Sequence, residues 1–163
     1  MMLTDFHKRL VDAFNRNKVD FVLIGGHAAL VYGSQRTTGD LDLLVSPTLE
    51  NGTKIIACFS EMDLDAGDLN PSDFLENLIL SFGQEPNAVD IINHLKSLSF
   101  EEVSSRAKLF ELETGLSIRV IDARDLLKEK RSLNRTEIKN LSDQIDILSL
   151  QKYLNMEGSE SEF

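Results

Sequence analysis

A β-rich apolar run, Val19-Asp-Phe-Val-Leu-Ile24, stops at Gly25-Gly26, and Asp40-Leu-Asp-Leu-Leu-Val45 begins fourteen residues beyond the second glycine. Apolar side chains at nearly every position mark a strand buried on both faces, because a half-exposed strand would alternate with polar residues. Glycine ends that strand: with no Cβ, the backbone can turn sharply and let another group come close. The second segment does alternate. Side chains along a strand point to opposite faces in turn, so Asp40 and Asp42 share one face while Leu41 and Leu43 enter the core. A chain with both segments is directed towards a sheet that carries a pair of carboxylates.

The other elements read as the surroundings of that sheet. Apolar residues at Leu3, Phe6, Leu10, Val11 and Phe14 have helical spacing, with Thr4 or Asp5 as cap. A short helix starts at the glycines and covers His27 to Tyr32, and a polar loop from Gly33 to Gly39 leads into Asp40. Pro47 and Thr48 open a helix to about Phe59, followed by an acidic, irregular stretch to Asn77. Leu78–Phe82 and Ala88–Ile92 are strands joined by a turn-rich segment. Ser99-Phe-Glu-Glu102 has the form of a capping box. Lys108–Glu113 and Leu116–Ile121 flank Thr114-Gly115 as a hairpin. Asp122–Arg131 is a helix, and Thr136 to about Leu154 is another, with apolar residues at Ile138, Leu141, Ile145, Leu148 and Tyr153. The 163-residue length predicts one domain, residues 1–155, and a polar, flexible tail, residues 156–163.

Composition removes several functions. Cys58 is the only cysteine, so there is no intrachain disulfide and no multi-cysteine zinc site, and its apolar setting predicts a buried small hydrophobe. The N-terminus lacks the apolar segment of a signal peptide and no run approaches a membrane span, so a cytoplasmic chain without a membrane partner is expected. A net charge of −10 argues against nucleic acid as the main partner.

The chemistry lies in the carboxylates and glycines. Two carboxylates roughly 7 Å apart along a strand can both reach a hard cation, and Mg²⁺ favours one or two carboxylates with phosphate oxygens and water. Asp90 is a third candidate, the lone polar residue in Ala-Val-Asp-Ile-Ile, where an unpaired charge would be costly. If its strand lies beside that of Asp40 and Asp42, three carboxylates converge. Gly25-Gly26 turns from strand to helix, a place for backbone N–H groups to meet phosphate oxygens. A second Asp-x-Asp, Asp63-Leu-Asp65, follows a helix with no glycine turn upstream and reads as a solvated loop. His27 reads as a helix-terminus residue.

Taken together, Ile24-Gly25-Gly26, Asp40-Leu-Asp42-Leu and Val89-Asp90-Ile91 resemble the polymerase-β-like nucleotidyltransferase superfamily in its minimal, single-domain bacterial form. Arg36-Thr-Thr38-Gly-Asp40 matches the run that leads into the first carboxylate in small members, and Leu126-Leu-Lys-Glu-Lys130-Arg131, Arg135 and Asp143 are similar to their C-terminal helices. The resemblance implies an α/β (α+β) nucleotidyltransferase fold: a small mixed sheet flanked by helices, with a helical C-terminus. It implies Mg²⁺-dependent transfer of a nucleoside monophosphate from an NTP to an acceptor hydroxyl on a protein, small molecule or RNA. Asp40 and Asp42 would hold both ions of a two-Mg²⁺ site; Asp90 would hold one and help activate the acceptor. Gly25 and Gly26 would receive the β- and γ-phosphates, with Arg36, Thr38 and Lys130 completing the nucleotide site. One departure is Gly26 itself, which stands where many members have a serine that bonds a phosphate oxygen. The alternative is a degenerate module, antitoxin-like, that binds a nucleotide or a protein partner without turnover.

Overall fold

The computed structural model describes residues 3–133 and 137–161. Arg135 and Thr136, named above, lie outside the described residues. Helix α1 (Asp5–Arg16) is capped by the Thr4 hydroxyl, which accepts from the His7 amide, and it buries Leu10, Val11 and Phe14. Strand β1 (Phe21–Ile24) is buried at all four positions, as its apolar run predicts. Phe14 meets Phe21 edge to face at 5.2 Å, which fixes α1 against the sheet. Each such buried aromatic contributes on the order of 2–3 kcal/mol through area removed from water.

Helix α2 (Gly25–Val31) starts directly at the glycines, and β2 (Asp40–Val45) follows the loop. Helix α3 (Leu49–Glu61), capped by Thr48, buries Ile55, Cys58 and Phe59. The Cys58 thiol is fully buried and pushed up to about 11, first by burial and then by nearby Glu61, which removes it as a nucleophile. The acidic stretch after α3 contains a single 3₁₀ turn, Pro71–Leu75, that inserts Phe74 into the core. Strands β3 (Ile79–Phe82) and β4 (Ala88–Ile92) pair as an antiparallel hairpin. Helix α4 (Phe100–Arg106) carries the expected capping box between Ser99 and Glu102. Strands β5 (Lys108–Glu113) and β6 (Leu116–Val120) form the second hairpin, and α5 (Ala123–Ser132) follows.

The sheet has six strands in the order β3-β4-β2-β1-β6-β5. β1 runs antiparallel to β2 and parallel to β6, and β2 runs parallel to β4. This is the small mixed sheet flanked by helices that the sequence predicts.

Helix α6 (Glu137–Ser161) extends past the end near Leu154 that the sequence predicts. Its apolar residues Leu141, Ile145 and Leu148 face outward, 62%, 45% and 66% exposed. The inward side instead carries Asp143, Asp146 and Leu150, with Tyr153 and Leu154 packed on the core. These positions also follow helical spacing. Burying two carboxylates there requires cations on the facing elements, and α5 and the loop after α2 supply them.

Candidate active site

Strand pairing decides whether the carboxylates meet. β2 lies between β1 and β4, with Asp42 opposite Ile24 on one side and Asp90 on the other. Residues opposite each other in a ladder share a face, and adjacent strands are about 4.8 Å apart. Asp42 and Asp90 are therefore neighbours on one face, and Asp40 stands two residues along β2, opposite Ala88. All three are partly exposed, while Leu41, Leu43, Val89 and Ile91 between and beside them are fully buried. The condition set by the sequence, that β4 lie beside β2, is met.

The glycine turn abuts this face. Gly25 has φ +70°, in the left-handed region that favours glycine, and a Cβ placed there would collide with the Asp42 carboxylate. Asp42 thus sits against the Gly25 backbone. At Gly39, just before Asp40, an added Cβ would stand 2.5 Å from the Glu85 side chain, so a further acid from the β3–β4 turn lies against the start of β2. Sequence reasoning missed Glu85, because only the fold of that turn brings it there.

The donor set is all carboxylate oxygen, which suits a hard cation such as Mg²⁺. Among the described residues, no three of His, Cys, Asp and Glu are drawn together closely enough to hold a metal by themselves.

Arg36 and Lys130, expected as clamps on a triphosphate, have carboxylate partners. Arg36 donates from Nε and Nη2 to the two oxygens of Asp146, each at 2.9 Å. Lys130 Nζ lies 3.0 Å from Asp143 and 2.9 Å from Asp146, and the Ser34 hydroxyl donates to Asp146 at 2.7 Å. Asp146 is fully buried. Burial alone would push its pKa up, but the hydrogen bonds from Arg36, Lys130 and Ser34 outweigh that and hold it below its ordinary value. The cluster ties the Gly33–Gly39 loop to α5 and α6. Asp143 and Asp146 at i, i+3, continued by Leu150 and Tyr153, were the signal for it.

Behind the turn, His27 stands in the first turn of α2 as expected but is only 3% exposed, and its ring meets His7 edge-on at 5.9 Å. His7 Nε2 pairs with the Ala88 carbonyl at 3.1 Å, beside Asp40 in the ladder. Among the described residues, neither ring nitrogen of His27 has a hydrogen-bond partner. Burial first, then the charges of His7 and Arg36, push His27 down to about 4, so it is neutral near pH 7. A cavity of about 540 Å³ is lined by Phe6, Phe59, Leu64, Leu80, Ser81 and Phe82 among others. Neither Asp40, Asp42 nor Asp90 lines it.

Solved structures share this architecture. The chain is similar to the lincosamide antibiotic adenylyltransferase LnuA, solved with lincomycin bound, with a TM-score of 0.57 and 16% identity over 93% of this chain and 98% of that one. It is also similar to TM1012 of Thermotoga maritima, a presumed nucleotidyltransferase, with a TM-score of 0.53 and 16% identity over 91% and 89%. The fold is that of the nucleotidyltransferases. No protein-family profile matches the chain, and no curated relative does.

Proposed function

We propose that the protein transfers a nucleoside monophosphate from a Mg²⁺-bound NTP to an acceptor hydroxyl. The observation that carries this reading is the register that sets Asp42 beside Asp90 on one face of the sheet, with Gly25 packed against the Asp42 carboxylate. Asp40, Asp42 and Asp90 would hold two Mg²⁺ ions, which supply charge neutralisation for the attacking and leaving oxygens. Gly25 and Gly26 let the β- and γ-phosphates approach the backbone, and Arg36, Thr38 and Lys130 form the cationic and hydroxyl side of the nucleotide site. Asp90 receives the proton of the acceptor hydroxyl. The acceptor oxygen forms a bond to the α-phosphorus, the bond from that phosphorus to the bridging oxygen breaks, and pyrophosphate leaves.

Likeness to an adenylyltransferase of a lincosamide supports a small-molecule hydroxyl as acceptor over an RNA, and the net charge of −10 argues in the same direction. Among the described residues no helix is long and apolar enough to cross a membrane. We take the cytoplasm, where NTP is abundant, as the setting.

A second reading is a binding module without turnover. The carboxylate partners of Arg36 and Lys130, and the glycine at position 26, favour it. The two readings separate on incubation with each labelled NTP, Mg²⁺ and a cell extract. Transfer predicts a labelled acceptor and released pyrophosphate, both lost in Asp42→Asn. If wild type labels nothing, and wild type and Asp40→Ala bind ATP equally, the transferase reading fails. Mg²⁺-dependent binding that survives Asp42→Asn without pyrophosphate release would establish the binding module.

A further inference from the structure

The two glycines of the turn are kept bare by side chains of opposite charge. At Gly25 the intruder is the Asp42 carboxylate. At Gly26 it is Arg36: an added Cβ would stand 2.5 Å from Nη2 and 3.1 Å from Cζ, with the Thr38 hydroxyl 2.9 Å away. Gly26 is not among the glycines with positive φ, so its backbone would accept any residue. The guanidinium and the Thr38 hydroxyl together leave no room for a side chain there.

We infer that Arg36 Nη2 takes the place of a phosphate-binding hydroxyl at position 26, and that Asp146 is the positioning residue that holds it there. This rests on the nucleotide-binding reading above. The guanidinium has five N–H groups. Two bond Asp146 and one bonds the Thr37 carbonyl at 3.2 Å, which leaves one on each terminal nitrogen for an anion. The two-point bond to Asp146 fixes the plane of the group, and Asp146 is itself held by Lys130 and Ser34. The side chain is 17% exposed, so the group is partly desolvated yet reaches the surface. A serine at 26 and an arginine at 36 are thus two solutions to one problem, and they exclude each other in space. The glycine is then a consequence of the arginine and no sign of a decayed site.

The mutual exclusion makes the sign of coupling the test. Binding of the α,β-methylene analogues of ATP, GTP, CTP and UTP, which cannot transfer their nucleoside monophosphate, is measured with Mg²⁺ by calorimetry. The proteins are wild type, Gly26→Ser, Arg36→Ala and the double variant, each below its melting temperature. Arg36→Ala should weaken the preferred analogue about tenfold or more, as loss of a charge-assisted bond does, and leave the corresponding monophosphate almost unaffected. Gly26→Ser should weaken binding in the wild-type background and restore most of it in Arg36→Ala. Asp146→Asn should weaken the analogue in the presence of Arg36 and change little in its absence, which a purely structural role would not produce. If Arg36→Ala fails to fold, Arg36→Lys, which keeps the charge and loses the fork, replaces it in the same cycle. Additive effects of Gly26→Ser in the two backgrounds, or unchanged affinity in the Arg36 variants, overturn the inference while the nucleotide reading stands. No binding of any analogue to wild type overturns both.

Discussion

Two sets of aspartates in this chain have opposite fates. On the sheet, Asp40, Asp42 and Asp90 are partly exposed on one face, and none of the ion pairs among the described residues involves Asp40 or Asp90. On α6, Asp143 and Asp146 are buried, and Lys130 and Arg36 neutralise them. The residue type is the same, so the difference is what faces it. The sheet aspartates keep part of their surface in solvent, whereas carboxylates enclosed with arginine and lysine hold three elements together. The first set should matter for activity and little for stability, and the second should show the reverse, with a smaller effect on nucleotide affinity through Arg36.

The largest expected effect breaks the sheet set. Asp42→Asn should lower pyrophosphate release by roughly 10³-fold or more, since several kcal/mol of charge stabilisation at the reacting phosphate is lost. The melting temperature should change little, because Asn keeps the shape of Asp and the side chain is only partly buried. An Asp42→Asn protein that melts well below wild type would place Asp42 with the structural set.

Next comes the helix set. Asp146→Ala leaves Arg36 and Lys130 in a buried position without their shared partner, and a broken pair of this kind costs about 3–5 kcal/mol. Urea denaturation should show that loss as a lower midpoint with an unchanged slope. A loss below about 1 kcal/mol would mean that the cluster behaves as an exposed ion pair.

A third effect sets the buried His27 apart from the helix set by pH. His27 has a folded pKa of about 4 against an ordinary 6.5. The unfolded chain therefore takes up a proton below pH 6.5 that the folded chain refuses until about 4, so stability is full above 6.5 and declines as pH falls between these values. Asp146 is shifted in the same direction but acts in a lower window: its pKa is held below the ordinary carboxylate value, so its contribution persists between those values and is lost only as the pH falls below the usual carboxylate range. Stability measured from pH 8 to pH 4 should fall in wild type and stay flatter in His27→Leu. Equal slopes in both proteins would remove His27 from the account.

How far these roles were readable in the sequence depends on their range. The glycine turn and the alternation of Asp40-Leu-Asp42-Leu are local, and local geometry gave their faces correctly. Convergence with Asp90 needed the pairing of β2 with β4, which no pattern within either strand specifies. The partners of Arg36 and Lys130 were hidden for another reason. On α6 the apolar series Leu141, Ile145 and Leu148 has the spacing of a buried face, as does the series Asp143, Asp146, Leu150 and Tyr153. Hydrophobicity favours the first, but the cations on α5 and on the loop before β2 make the second the buried one. Such a choice is visible only once those elements are packed together. His27 was placed at the helix terminus by the glycine turn, but its burial comes from α1, far away in sequence.

The smallest effect tests that choice of face. Leu148 is 66% exposed and Leu150 is fully buried, two residues apart on the same helix. If α6 were oriented by its apolar series, Leu148→Ser would cost the several kcal/mol typical of a core truncation. With the aspartates inward, Leu148→Ser should shift stability by no more than about 0.5 kcal/mol, as surface substitutions do. Leu150→Ala should cost about 2–5 kcal/mol in the same denaturation series. An expensive Leu148→Ser beside a cheap Leu150→Ala would rotate the helix, remove Asp146 from Arg36, and leave Gly26 without the neighbour that explains it.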